Sequence, residues 1–353
     1  MLDAARGDDA AEWLGLWNSW PSREVFAHPA YVNLYSTPHS RALCATWSSG
    51  NLRVLYPFLL RDLTVEPCWR AGLPPASDII TPYGYGGPFA WGGGDLERIA
   101  SDFWACFGEW VRDNRVVSEF IRFSLFEDAL LKYPVAKECR LSNVVLDLTA
   151  SEEHIWQQYE HKVRKNVKAA QRNGVSVEGD PSGSRLEEFL AVYQATMERR
   201  TAEGRYFFPR SYFEGLHQAL PGQFVYFHCL HRGTVISAEL VLVSAENVYS
   251  FLGGTDSRHF HLRPNDLLKH EIIRWAKSKG KRRYVLGGGY QERDGIYRYK
   301  LSFAPNGEMP FFVGARIFNR EVYESLVNHR MQSSLLSGCT WTPAPGFFPA
   351  YRA

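Results

Sequence analysis

Metal-type cysteine pairs are missing from this chain, and so is any long apolar run. The six cysteines, at 44, 68, 106, 139, 229 and 339, form no CxxC pair and lie too far apart for a compact disulfide framework. Their pattern predicts reduced thiols in a cytosolic protein. No stretch approaches the roughly 18 apolar residues that a membrane-spanning helix needs. The amino-terminal segment lacks a basic region followed by an apolar one, so no secretory leader is expected and the sequence predicts a soluble, cytoplasmic protein. An excess of one charge is also lacking. At a formal net charge of +2, any polyanion has to meet a local patch, not the surface as a whole.

Several catalytic signatures are absent as well. Gly287-Gly288-Gly289-Tyr290-Gln291-Glu292 fails the dinucleotide pattern G-x-G-x-x-G at its last position. There is no G-x-S-x-G elbow for a serine hydrolase. His259, His261 and His270 have no acidic or sulfur partner at a recognised ligand spacing, so no metal is expected.

What is present is an ordinary globular composition rich in aromatics. With 45% hydrophobic and 22% charged residues, disorder is excluded, and 353 residues favour two domains of usual size. The first half opens with a short amphipathic helix over 10–18. Strand-like runs at 41–47 and 52–63 follow, joined by Ser48-Ser49-Gly50-Asn51, which is hairpin chemistry. The loop Pro82-Tyr83-Gly84-Tyr85-Gly86-Gly87-Pro88 reads either as a structural turn filled by tyrosines or as a substrate-lining loop. A helix over 96–112 shows Ile99, Phe103, Phe107 and Val111 on one face, and strands follow at 119–125 and 143–148.

The second half starts with a helix expected over 151–172, its buried stripe made of Trp156, Tyr159, Val163, Val167 and Ala170. Lys162, Arg164, Lys165, Lys168 and Arg172 lie off that stripe, with no acidic residue between Glu160 and Glu178 to neutralise them. They read as a solvated face or as a surface for a phosphate-bearing partner. A second helix over 185–203, strands at 224–230, 235–243 and 247–252, a helix at 265–279 and a strand at 284–286 follow. The chain closes with a strand at 309–316, a helix at 320–326 and an irregular, docked tail after Ser337. The 250–307 stretch organises the half. It contains two glycine-bearing strand ends, Gly253-Gly254 and Gly287-Gly288, where a backbone or ligand can approach closely, and then Lys300 among aromatics. The predicted architecture is α+β, with mixed, mostly antiparallel sheets flanked by helices in two similar domains, 1–147 and 148–353, the second carrying the main site.

The chain resembles FemXAB-type proteins, a family of tandem acetyltransferase-like (GNAT) domains that includes tRNA-dependent aminoacyltransferases. The resemblance is carried by Pro82 to Pro88, by Trp156-x-x-Tyr159-x-x-Lys162-x-Arg164-x-x-x-Lys168-Ala169 with Gly174-Val175, and by Gly280-x4-Val285-Leu286-Gly287-Gly288 leading to Tyr299-Lys300-x-x-Phe303. It implies transfer of an amino acid from aminoacyl-tRNA to an amine of a small peptide, peptidoglycan-precursor or natural-product acceptor. The tRNA is then a co-substrate, with no other cofactor. It also implies that Lys300, with Tyr299 beside it, sits near the reacting ester, where a fixed cation stabilises charge developing on the carbonyl oxygen. Arg210 matches an arginine that contacts acceptor phosphates, a task suited to a guanidinium. Tyr83, Tyr85, Gly253, Gly254, Gly287 and Gly288 would line the substrate groove, and Lys162, Arg164, Lys165, Lys168 and Arg172 would bind the tRNA. Asp294, Glu292 and Glu271 are candidate bases, with the tRNA itself as an alternative proton carrier. Two rival readings stand beside this one. The first is an acyl-CoA-dependent N-acyltransferase, although the Q/R-x-x-G-x-G/A loop that would hold a pyrophosphate is missing. The second is a non-catalytic binding scaffold.

Overall fold

The turn Ser48-Ser49-Gly50-Asn51 joins Ser40–Ser49 to Leu52–Asp62 in an antiparallel hairpin, with Gly50 at φ +56°. This computed structural model describes residues 1–69, 72–336 and 340–353, so Cys339 lies outside the described residues. The chain folds into two compact units, one made of 1–21, 26–140 and 311–353, the other of 22–25 and 141–310. This differs from a single division at 147/148, and the reason is strand pairing. Val313 to Ile317, from the strand Glu308–Ile317, pair antiparallel with Val116–Arg122. The last segment thereby completes the first unit.

In that first unit the strands run in the order Leu2–Asp3, Ser40–Ser49, Leu52–Asp62, Ser77–Ile80, Val116–Arg122 and the final strand, with Phe89–Trp91 also on Leu52–Asp62. The helix Leu96–Asp113 is N-capped by Asp95 and buries the expected Ile99, Phe103, Phe107 and Val111 against Tyr56 and Phe58. The tail docks as its composition predicts. Tyr351 is fully buried, its hydroxyl 2.9 Å from a carboxylate oxygen of Asp78.

In the second unit the order is the 141–147 part of Glu138–Asp147, then Arg283–Gly287, Asn247–Thr255, Thr234–Val243, Phe224–His231 and Val175–Asp180. Among the described residues of this unit, Asn247–Thr255 and Arg283–Gly287 pair parallel, while the neighbouring pairs are antiparallel. The helix Pro264–Ser278 connects them, giving the mixed sheet with covering helices that the element order implies. Three elements of this unit are not marked in the sequence pattern, the edge strand Val175–Asp180 and the helices Arg210–Ala219 and Gly295–Leu301.

The helix expected over 151–172 is two helices, Glu152–Gln158 and His161–Arg172. Tyr159 and Glu160 between them are extended, with ψ of 143° and 149°. The break has partners that a continuous helix would forfeit. Arg164 donates to the carbonyls of Gln157 and Tyr159, and the Glu160 N–H donates to the Ser302 carbonyl at 2.9 Å. Tertiary bonds therefore override a favourable local pattern. The stripe survives the break, since Tyr159, Val163, Val167 and Ala170 are all buried. Among the described residues, no helix is long and apolar enough to cross a membrane.

Candidate functional site

In the second unit, Asn247–Thr255 and Arg283–Gly287 pair at three positions only, Asn247 to Tyr249 with Arg283 to Val285. Beyond them the two parallel strands part, and the candidate site is built around that parting. Gly287 ends its strand at φ +82°, a conformation open to glycine and strained for other residues. A short loop then leads to the helix Gly295–Leu301, which carries Lys300.

Asp294 fixes this loop. One carboxylate oxygen caps the helix at the Tyr297 N–H (2.8 Å), and the other accepts from the N–H groups of Tyr290 (2.7 Å) and Gln291 (3.2 Å). Burial acts to raise its pKa, but these backbone bonds outweigh it and hold the carboxyl below its ordinary value. A Cβ at Gly289 would stand 2.3 Å from that carboxylate, so the loop closes this tightly only with glycine there. Asp294 is thus committed as a cap. Of the other acidic candidates, Glu271 pairs with Arg274 at 3.1 Å and Glu292 is exposed.

Lys300 is half-buried, and its ammonium donates to the Gly288 carbonyl at 2.6 Å. Burial and then the like charge of Lys269 lower its pKa to about 7, against the opposing pull of Glu239 and Asp294. The Tyr299 ring packs edge-on against Phe303 at 5.4 Å. Its hydroxyl is buried without a hydrogen-bond partner among the described residues, a state that is costly unless something else supplies one. Burial, with Asp266 and Glu239 adding, pushes that hydroxyl's pKa well above the usual phenol range.

Behind these residues lies a charged network that the sequence reading missed. The buried Lys269 ammonium sits 2.6 Å from the Glu239 carboxylate, 2.7 Å from the Ser250 hydroxyl and 3.2 Å from the Tyr284 hydroxyl, which itself donates to Glu239 at 2.6 Å. The signal was present in the sequence. Glu239 is the one charged residue in the largely apolar strand Thr234–Val243, and Lys269 falls on the core face of a helix, positions where a charge needs a buried partner.

The paired glycines serve the protein's own packing. A Cβ at Gly254 would lie 2.5 Å from the Val192 carbonyl, and one at Gly253 would lie 2.8 Å from that of Ala238. The space expected for a ligand at Gly254 is therefore taken by the helix Leu186–Arg199. Gly287 and Gly288 instead form the strand exit that Lys300 reaches. Tyr83 and Tyr85 belong to the first unit. There the Tyr83 carbonyl accepts from the Tyr31 hydroxyl at 2.6 Å, and the Tyr85 ring packs against Phe26 and Phe311.

On the helix His161–Arg172, Lys162, Lys165, Lys168 and Arg172 are exposed, while Arg164 is occupied at the helix break. Lys168 lies 5.9 Å from the centre of the Trp156 ring. Arg210 is exposed and bonded to Glu187 and, at 2.7 Å, to Glu214. Its guanidinium is held by two carboxylates, which the resemblance did not anticipate. Among the described residues, no group of three or more His, Cys, Asp or Glu side chains could hold a metal ion.

Residues 157–301, which include the basic helix, the parting strands and Lys300, match the family model described as an acetyltransferase (GNAT) domain. The fold is GNAT-like. Its overall trace is similar to the crystal structure of FemX, with a TM-score of 0.68 at 13% identity over 89% of this chain and 97% of that one. A conserved protein of unknown function from Bacteroides thetaiotaomicron is also similar, at a TM-score of 0.56 and 10% identity over 90% and 98% of the two chains. In sequence, the chain is 26% identical over 192 residues to the UDP-N-acetylmuramoylpentapeptide-lysine N(6)-alanyltransferase of Weissella viridescens. That match spans 52% of this chain and 56% of the relative's length.

Proposed function

We propose that this protein is an aminoacyl-tRNA-dependent aminoacyltransferase, forming an amide between the tRNA-borne amino acid and an amine of a small peptide or peptidoglycan-type acceptor. The observation that carries this reading is Lys300, a half-buried ammonium at a strand exit, bonded to one backbone carbonyl and to no carboxylate among the described residues. The acceptor amine attacks the ester carbonyl, charge builds on the carbonyl oxygen, and the Lys300 ammonium stabilises it. The ester C–O bond then breaks, the tRNA ribose oxygen leaves with a proton, and the amide remains. The Tyr299 hydroxyl, without a hydrogen-bond partner among the described residues, is a second donor carried by the same short helix. No cofactor enters this scheme, and a cytoplasmic location is where charged tRNA is found.

The alanyltransferase relative supports the reaction class and the lysine-bearing acceptor. The rival acyl-CoA reading needs free N–H groups at a helix start to hold a pyrophosphate. The helix Pro264–Ser278 begins with Pro264, which has no N–H, and carries the buried Asp266 carboxylate in its first turn. That carboxylate already meets the positive end of the helix dipole and would repel a phosphate.

The test offers mixed charged tRNA and, separately, acetyl-CoA, each with and without ribonuclease, and follows transfer to a panel of amines that includes a lysine-bearing muramoyl pentapeptide. Ribonuclease-sensitive transfer from the tRNA is the expected result. Transfer from acetyl-CoA alone would replace this reading with its rival.

A further inference from the structure

The loop that Asp294 ties down presents Tyr290 at its tip. Its backbone N–H is fixed to the same carboxylate that caps the Lys300 helix, yet its side chain is 53% exposed. A second tyrosine meets it from another part of the unit. Tyr206 stands edge-on to Tyr290, ring centres 5.8 Å apart at 85°, and its own carbonyl is held by the Tyr193 hydroxyl. Both backbones are anchored while aromatic surface faces outward, so a flat ring could be received at little entropic cost.

The charged groups around Tyr290 are of both signs: Arg200 is its cationic neighbour, while Glu203 and Asp294 are acidic ones, the latter already bonded to three backbone N–H groups. A second guanidinium, that of Arg199, lies 5.0 Å over the ring of Phe260, which is itself 39% exposed. Exposed aromatic faces beside guanidinium groups stack nucleobases and track the phosphates between them. The platform begins two residues after Gly288, whose carbonyl receives the Lys300 ammonium. A nucleic-acid end stacked there would lie beside the proposed reacting group.

We infer that Tyr290 and Tyr206, with Arg199 and Arg200, form a stacking platform for the unpaired 3′-terminal nucleotides of the RNA donor. This inference rests on the proposed function. It assigns to one loop pair the task of holding the end of the RNA that bears the ester, while the helix His161–Arg172 meets the phosphates of its stem.

The experiment titrates wild type, Tyr290→Ala, Tyr206→Ala and Tyr290→Trp with a single-stranded RNA tetranucleotide ending in CCA, its terminal adenine replaced by 2-aminopurine, whose fluorescence falls on stacking. Thermal melts establish that each variant is folded. Wild type should quench the probe, each alanine variant should bind about 10- to 100-fold more weakly, and Tyr290→Trp should retain binding. Quenching by the alanine variants within twofold of wild type would overturn the platform. So would turnover of charged tRNA by a wild type that does not bind the probe. If wild type neither binds the probe nor uses charged tRNA, the proposed function fails, and this inference falls with it.

Discussion

The Lys300 ammonium and the Gly288 carbonyl oxygen lie 2.6 Å apart, a bond that ties the short lysine helix back to the end of the strand before it. The bond fixes the cation's position without neutralising it, because a carbonyl is a dipole and carries no net charge. Removing the side chain tests the role directly. Lys300→Ala should lower single-turnover transfer from charged tRNA by about 100- to 1,000-fold, the usual cost of losing one stabilising donor, while the melting curve stays cooperative. A rate equal to wild type would take Lys300 out of the mechanism.

The environment of this lysine makes its charge sensitive to pH. With its pKa lowered to about 7, the ammonium is lost as pH rises through neutrality. If the cation is the working form, transfer should fall about tenfold per pH unit above that point, as measured under single-turnover conditions. Stability should move the opposite way. The unfolded lysine holds its proton up to its ordinary value of 10.5, so between about 7 and 10.5 the unfolded state binds more protons and stability rises with pH. Denaturant titrations of Lys300→Met across that window should lack this rise.

Lys269 and Glu239 form a buried pair whose halves depend on each other. Lys269→Met alone strands the carboxylate and should cost about 3–5 kcal/mol in denaturant unfolding. Adding Glu239→Gln should recover most of that loss. A single variant as stable as wild type would mean that the carboxylate finds another partner or takes up a proton.

The exposed lysines of the helix His161–Arg172 make a separate prediction. Replacing Lys165 and Lys168 by Glu should weaken binding of uncharged tRNA and flatten the slope of log affinity against log salt, since fewer counterions are released. An unchanged slope, measured by filter binding at several salt concentrations, would return that face to simple solvation.

Element identity was largely legible in the sequence where periodicity and turn chemistry agreed. The apolar face of Leu96–Asp113 and the hairpin at Gly50 followed from local pattern alone. What escaped depended on partners remote in sequence. Nothing local marks the break at Tyr159, because the atoms that stabilise it include the carbonyl of Ser302. The glycine pair at Gly253-Gly254 signalled close approach correctly but not its cause, which is the helix carbonyl of Val192 at the second position. Arg210 and Arg164 read as phosphate ligands by type and position, and only three dimensions reveal the carboxylates and carbonyls that occupy them. The Lys269–Glu239 pair was visible as two misplaced charges, without any sign that they belong together.

The return of residues 311–353 to the first unit has a bearing on biosynthesis. On the ribosome, residues 26–140 emerge long before the strand that pairs with Val116–Arg122, so the nascent amino-terminal half must wait with that sheet edge uncovered. The later unit, contiguous from 141 to 310 apart from the short 22–25 segment, has nearly all of its chain available sooner after its synthesis begins. Expression of the amino-terminal half alone should therefore yield an aggregation-prone fragment, rescued by supplying the carboxy-terminal strand in trans.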